Sequence, residues 1–513
     1  MLRNKRGILI GIFLIVGALL VACNDGASDN VFDEGEDRML VVAIGGDPVA
    51  LDPQFANETN SAITNTQLYE TLVTHDIDMN IVPRLATEWR RVDDLTIEFD
   101  LRDDVYFHNG EHFTARDVDF TLRRAADSAV TYPILGEIDA EATEIVDDFT
   151  IRISTYRPFA PILSNLAHST AFIVNQTAVE YYGELYRENP VGTGPFQFED
   201  WTVGDSLTFV RNNNYWGDMP QISGIQFRII TEQASRVIAL ETEEADIAMW
   251  ISPSDVNRVI ESDEMEFVTR ENFTVQYVGF NNQVEPFTDV RVRQAINYAV
   301  DVQSIVDTVL EGFATPSAGP MGANIPLASN SVIGYEYNPE RARELLAEAG
   351  LADGFETSIM VQSDTTMIAL ATAIASQLGE VGINVEIQPL EGGVFTDYTT
   401  EGRHEMFLFT WTTVTGDADY ALYPLFHSSQ HGSPGNRTFF ENDEIDDLLE
   451  RARGAFDDEV RMDYYEQLGQ LIRDEAPWLF FTTGQSLIAT RYDVHGYEFR
   501  LNGQQTMRYV YFE

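Results

Sequence analysis

Cysteine is nearly missing from this 513-residue chain: Cys23 is the sole one. That excludes a disulfide framework and any cysteine-built zinc site. Lysine is equally scarce, Lys5 being the only one among 32 basic residues, and those are outnumbered by 83 acidic ones for a net charge of −51. A chain so short of cations has no basic footprint for phosphate, which excludes nucleic acid as a partner. Such charge repels itself in dilute buffer and is screened by salt, so an acidic, Lys-free surface points to a salt-rich exterior and a halophilic source. What is plentiful is hydrophobic residue, 44% of the total. That suffices for large cores and excludes a disordered or fibrous chain; the length calls for more than one domain.

The N-terminus carries an address. Met1 to Arg6 holds three positive charges, and Gly7 to Ala22 is an uncharged apolar run ending in Leu20-Val21-Ala22-Cys23. A basic start, a short apolar stretch and a small-residue cleavage site make a secretory signal, and sixteen residues fall short of the roughly 20 that span a bilayer. The ending resembles a bacterial lipobox, which predicts cleavage after residue 22 and lipidation of Cys23. Acyl chains contribute about 0.8 kcal/mol per buried methylene, enough in combination to hold a soluble body at a membrane. Residues 23–37, acidic and almost free of hydrophobics, read as a flexible tether.

From residue 38 onward strands and helices alternate without a repeat. Met39 to Ile44 reads as a buried strand, and Leu95 to Leu101 alternates as a half-buried strand does. Thr114 opens a helix; Leu207 to Val210 and Ile225 to Ile230 return to strand spacing. Asn338-Pro339 starts a helix that Gly350 ends. Ile374 to Gly382 and Ile383 to Ile387 read as helix, turn and strand, and Asp443 to Arg453 and Val460 to Glu475 as amphipathic helices. The class is α/β with at least two lobes.

Catalytic patterns fail on inspection. His108-Asn-Gly-Glu-His112 fits an inverted zinc-protease motif, but that chemistry needs a helix, and Asn109-Gly110 marks a turn. His427 and His431 also lie four apart, in a loop-like stretch. No nucleophile elbow, phosphate loop or dinucleotide fingerprint is present. No enzyme activity, cofactor or metal is expected; a secreted hydrolase is the distant alternative.

Longer strings carry more. Thr96 to Arg124, Leu51-Asp-Pro-Gln54, Leu68 to Val73, Pro83 to Trp89, Asn189 to Phe196, Asn214-Tyr-Trp216 and Pro286 to Arg293 resemble family 5 extracellular solute-binding proteins. These are peptide- and nickel-binding components of ABC importers. The resemblance implies a two-lobed periplasmic-binding-protein fold with an extra domain, mixed sheets and a hinge. Domain I is expected at 38–79, 190–280 and 487–513, domain II at 80–189 and domain III at 281–486, with Gly279-Phe-Asn-Asn282 as one hinge crossing. It also implies permease and ATPase partners, a monomer, and a place outside the cytoplasmic membrane, either at the cell surface or in the periplasm.

Peptide binders of the family often carry an Asp three residues after the Trp matched by Trp411, where it pairs with the ligand's α-amino group. This chain has Val414 there. Trp411 to Phe426 (WTTVTGDADYALYPLF) instead resembles the glutathione-binding branch, which implies glutathione or a similar peptide as ligand. Its ammonium needs an acceptor and its two carboxylates need donors. Asp417 or Asp419 is expected to take the ammonium, and Arg403 and Arg437 the carboxylates, each by a two-pronged contact. Asn57, Thr59 and Asn60 are expected to offer polar contacts, Trp411 to wall the cleft, and Thr415 to belong to the same site. Di- or oligopeptides are the first alternative ligands, and nickel or a nickel complex a further one, weaker for want of a histidine cluster.

Overall fold

A computed structural model describes residues 38–513 apart from 57, 329, 330 and 434. The signal, Cys23, the tether and Asn57 therefore lie outside the described residues. Among the described residues no helix is long and apolar enough to cross a membrane.

Two long strands organise the body. Met265–Phe280 and Trp478–Arg491 run antiparallel through the middle of an 11-stranded sheet. At one end Trp478–Arg491 pairs with Ile247–Ala248, beyond which come Met39–Ile44, Gly224–Ile229, Ser206–Arg211 and Phe196–Thr202. At the other end Met265–Phe280 pairs with Met406–Thr412, followed by Phe355–Gln362 and Ile383–Leu390. The two strands are the covalent and hydrogen-bonded link between two halves, each with its own apolar core. Leu40, Val42, Phe209 and Phe227 anchor one, and Ile359, Leu378, Phe287 and Met406 the other.

The register of the long pair breaks between Glu271 and Val275 and again after Gln276. Gly279–Asn282, expected as the crossing, lies beyond that break. Asn281 is buried and donates to the carbonyls of Gly402 and His404 at 3.1 and 3.0 Å, so this segment is fixed inside the second half.

A separate four-stranded antiparallel sheet is ordered Ala86–Arg91, Thr96–Leu101, Thr150–Thr155, Ile138–Asp147. Helix Ala115–Ala126 covers it, burying Val118 and Leu122 against Phe99 and Ile151. The helix starts where it does because Thr114 accepts from the Arg116 amide and Asp117 accepts from that of Thr114. Just before it, Gly110 takes φ +85° and Asn109 accepts from the Glu111 amide, closing the expected turn. The turn sends His108 to the Gly194 carbonyl (3.1 Å) and His112 to that of Asp103 (2.9 Å), so no metal is shared. Gly192 completes the corner: a Cβ there would sit 2.0 Å from the Leu68 carbonyl oxygen at the end of helix Thr59–Leu68.

Candidate ligand-binding site

Strand Met406–Thr412 ends at the turn 413–417, which leads into helix Ala418–Phe426. The Thr413 amide donates to the Phe273 carbonyl (2.9 Å), tying the turn to the long strand just at its register break. Gly416 takes φ +68°, and a Cβ on it would lie 2.6 Å from the Met79 methyl. The left-handed conformation alone costs a non-glycine residue about 1–2 kcal/mol. Gly416→Ala is therefore expected to lose at least that much in urea unfolding, and a variant as stable as wild type would contradict the placement of this turn.

The two carboxylates of the turn, expected to take the ammonium, are instead held by buried arginines, and of the two Asp419 borders the larger cavity described below. Asp417 caps the helix by accepting from the Asp419 amide and pairs with Arg461 at 2.6 Å, both side chains being buried. Asp419 takes both prongs of Arg453 at 3.1 and 3.2 Å. In an interior, a carboxylate already matched by a guanidinium is satisfied and has no charge left for an ammonium. Thr415 is buried and its hydroxyl accepts from the Asp417 amide, so it too serves the turn.

The expected arginines also lie elsewhere. Arg403 is exposed, paired with Glu401 and 5.0 Å from the centre of the Tyr398 ring. Arg437 sits 4.6 Å from the centre of the Phe409 ring and donates to the Thr399 hydroxyl at 3.2 Å. No carboxylate lies within 4.0 Å of it among the described residues, and burial lowers its pKa from the ordinary value. Neither lines the cavities described next. Trp411 stacks on Tyr420 at 5.2 Å and donates its Nε1–H to the Tyr420 carbonyl at 3.1 Å.

Two cavities lie nearby; Trp411, expected to wall the cleft, lines neither, while Tyr420 lines the second. The first, about 150 Å³, lies between the halves of the long sheet. Thr59, His168 and Trp250 face Thr274 and Val414 across it, and Asn502 and Gln504 close it. Of the expected residues, Thr59 is here; Asn60 lies beside Gly46 in the first turn of the same helix. Among the described residues, no Asp, Glu, Lys or Arg lines this cavity. Asn502 Nδ2 and Gln504 Nε2 are buried donors without partners among the described residues. They are the chemical demand of the site, since a buried amide N–H needs an acceptor.

The second cavity, about 600 Å³, lies between the four-stranded-sheet region and the helices after Trp411. Tyr132, Glu137, Arg157 and Asn165 form one wall, Tyr420 and Arg453 the other. Ion pairs close its rim: Arg453 to Glu137 at 3.3 Å and Arg157 to Glu450 at 3.1 Å. The Arg91 guanidinium also lies 3.7 Å from the centre of the Phe456 ring. Its charged lining residues, Glu137 and Asp419 against Arg157 and Arg453, balance one another. Sequence reading missed Asn502 and Gln504, although an uncharged polar run, Asn502 to Thr506, stands out in so acidic a chain.

Histidine at the first cavity is a neutral group. Burial lowers the His168 pKa to about 3, and His75 nearby adds to the effect. Burial likewise lowers His75, His108 and His404 to about 4. Each binds its proton more readily when unfolded, where its pKa is about 6.5, so native stability is full above that pH and falls as pH drops toward the folded values. Each histidine is expected to contribute a slope approaching about 1.4 kcal/mol per pH unit between roughly pH 6 and 4. Urea midpoints measured across that window check it; a flat profile would contradict the burial of these rings.

The geometry offers a cavity between two halves, and comparison with known proteins places the chain in a family. Residues 80–433 match the family described as bacterial extracellular solute-binding proteins, family 5 Middle. The glutathione-binding protein GsiB of Salmonella typhi is 32% identical over 453 residues, covering 86% of this chain and 88% of its own. GsiB of Pectobacterium atrosepticum is 31% identical over 470 residues, covering 89% and 91%. Among solved structures, the ABC transporter-associated periplasmic binding protein DppA of Helicobacter pylori, in complex with the peptide STSA, superposes with a TM-score of 0.84. It is 28% identical, with 93% of this chain and 99% of that one covered. The chain belongs to the family 5 extracellular solute-binding proteins, binding components of ABC importers, and is not an enzyme.

Proposed function

We propose that this chain captures a short peptide, glutathione or a close analogue, and hands it intact to the permease and ATPase subunits of an ABC importer. The observation that carries this reading is the turn Thr413–Asp417. It resembles the glutathione-binding branch, lines the cleft through Val414, and puts that apolar residue where an amine-anchoring carboxylate would stand. In this reading Asn502 and Gln504 donate to ligand oxygens. The segments 38–79, 190–280, 487–513 and 80–189 move as one lobe against 281–486, flexing where the long strands lose register rather than at Gly279.

The rest of the reading is topological. A lipid on Cys23 and the tether 23–37 hold a monomeric body on the outer side of the cytoplasmic membrane, bathed in concentrated salt. The second reading is a di- or oligopeptide receptor, favoured by the larger cavity, whose 600 Å³ falls within the usual range of ligand pockets. Mass spectrometry of what co-purifies, followed by calorimetric titration in molar salt with glutathione, dipeptides and nickel, separates these. Saturable binding of reduced or oxidised glutathione, recovered unchanged, is the expected result. Binding of longer peptides alone would replace the first reading with the second.

A further inference from the structure

A third cavity, about 350 Å³, lies on the other side of the C-terminal segment from the cleft, and Gln504 borders both. It is enclosed by the end of helix Thr59–Leu68, the hairpin Val73–His75 with Ile81–Pro83, and residues 498–509. Three guanidinium groups reach its wall, those of Arg84, Arg500 and Arg508. Three carboxylates, Glu70, Asp76 and Glu498, reach the same void, so what matters is how the six groups are paired.

Their partners do not use up the charge. Arg84 is matched by buried Glu70, whose oxygens are filled by Tyr215, Trp216 and Thr193 as well. Arg500 donates to the His75 carbonyl at 2.8 Å, and its nearest carboxylate is Glu498 at 3.7 Å. Arg508 donates to the hydroxyls of Tyr215 and Tyr509 and has no carboxylate within 4.0 Å among the described residues. Asp76, also on the wall, is occupied by the amides of Asp78 and Asn80 and by the Asn80 side chain. Three buried polar atoms on this wall are unpartnered: Arg500 Nε, Gln504 Nε2 and His75 Nδ1.

Arg508 without a carboxylate, and Arg500 with only the distant Glu498, beside unpartnered polar atoms, favour an acceptor that carries charge. Water satisfies the hydrogen bonds but not the charge, whereas an oxyanion does both, and the planar fork of Arg fits it by paired contacts. We propose that this cavity is a binding site for a small oxyanion, a carboxylate or an inorganic tetrahedral anion, held chiefly by Arg500 and Arg508. Through Gln504 and the short path to Asn502, an occupied site would brace the segment that closes the ligand cleft.

The test uses the wild-type protein first. Crystals soaked in sodium selenate are expected to show an anomalous selenium peak between Arg500 and Arg508; an empty cavity at saturating selenate would overturn the site. Calorimetric titrations with selenate and with acetate, ionic strength held with sodium chloride, then distinguish the tetrahedral anion from the carboxylate. Arg500→Gln and Arg508→Gln are each expected to weaken binding about tenfold or more, the cost of one charge-assisted contact. Exposed Arg403→Gln is expected to leave it unchanged. Folded variants that bind as wild type does would contradict the proposal, and if neither variant folds, the wild-type crystal decides.

Discussion

Arg461→Met is expected to destabilise the protein by about 3–5 kcal/mol, because it strands the Asp417 carboxylate in the interior without its cation. The side chains of the pair are 5% and 8% exposed, and the 2.6 Å contact lies on helix Asp458–Glu475, far from Asp417 in sequence. Asp417 keeps its bond to the Asp419 amide in the variant, but one neutral donor does not offset a buried charge. Asp417→Asn on the Arg461→Met background removes that charge while preserving an N-cap residue type. The double variant is therefore expected to recover much of the loss, so the two single effects do not add. Urea midpoints of the four proteins measure this. If Arg461→Met were as stable as wild type while Asp417→Asn abolished ligand binding, Asp417 would be a ligand anchor and not a structural ion.

Val414→Asp is expected to create an amine anchor. Val414 lines the neutral cavity and is only partly buried, so a carboxylate there keeps access to solvent when the cleft is empty. A hydrogen bond to a charged group is worth about 1.5–3 kcal/mol, which converts to roughly ten- to hundredfold in affinity. The gain should appear for dipeptides with a free α-amine and vanish for their N-acetylated forms. Calorimetric titration with such a pair checks it. Equal affinity for both forms, or no gain for either, would mean that residue 414 does not face the ligand's amino end.

Local chemistry made much of the fold legible in the sequence. Asn338 and Pro339 start helix Pro339–Glu348 as their capping preferences require, with the Asn338 side chain accepting from the Arg341 amide. Thr114 and Asn109-Gly110 behave likewise. The buried apolar run Met39 to Ile44 and the strand spacing of Leu207 to Val210 became strands Met39–Ile44 and Ser206–Arg211 because each lies within a packed sheet. One helix was underestimated: Thr365–Glu380 begins nine residues before Ile374, since Asp364 caps it by accepting from the Met367 amide.

The candidate site was legible as a segment but not as chemistry. The string around Trp411 named the right wall, yet the roles of Asp417 and Asp419 depend on Arg461 and Arg453, which lie 44 and 34 residues away. Nothing local marks those two arginines as buried; they sit in helices whose charged residues are otherwise mostly solvated. Arg403 and Arg437 were near Trp411 in sequence, but they pack against Tyr398 and Phe409 and line neither cavity. The donors that close the cleft, Asn502 and Gln504, come from a segment about ninety residues further on, brought back beside the turn by the return strand Trp478–Arg491. Only tertiary packing puts them there.

A crystal structure of the protein grown with reduced glutathione tests the central claim most directly. The predicted result is an uncleaved peptide lying between the halves, against Val414 and Tyr420, with an oxygen within hydrogen-bonding distance of Asn502 Nδ2 or Gln504 Nε2. A peptide bound on the outer surface, or a cleft that stays empty at saturating glutathione, would contradict it.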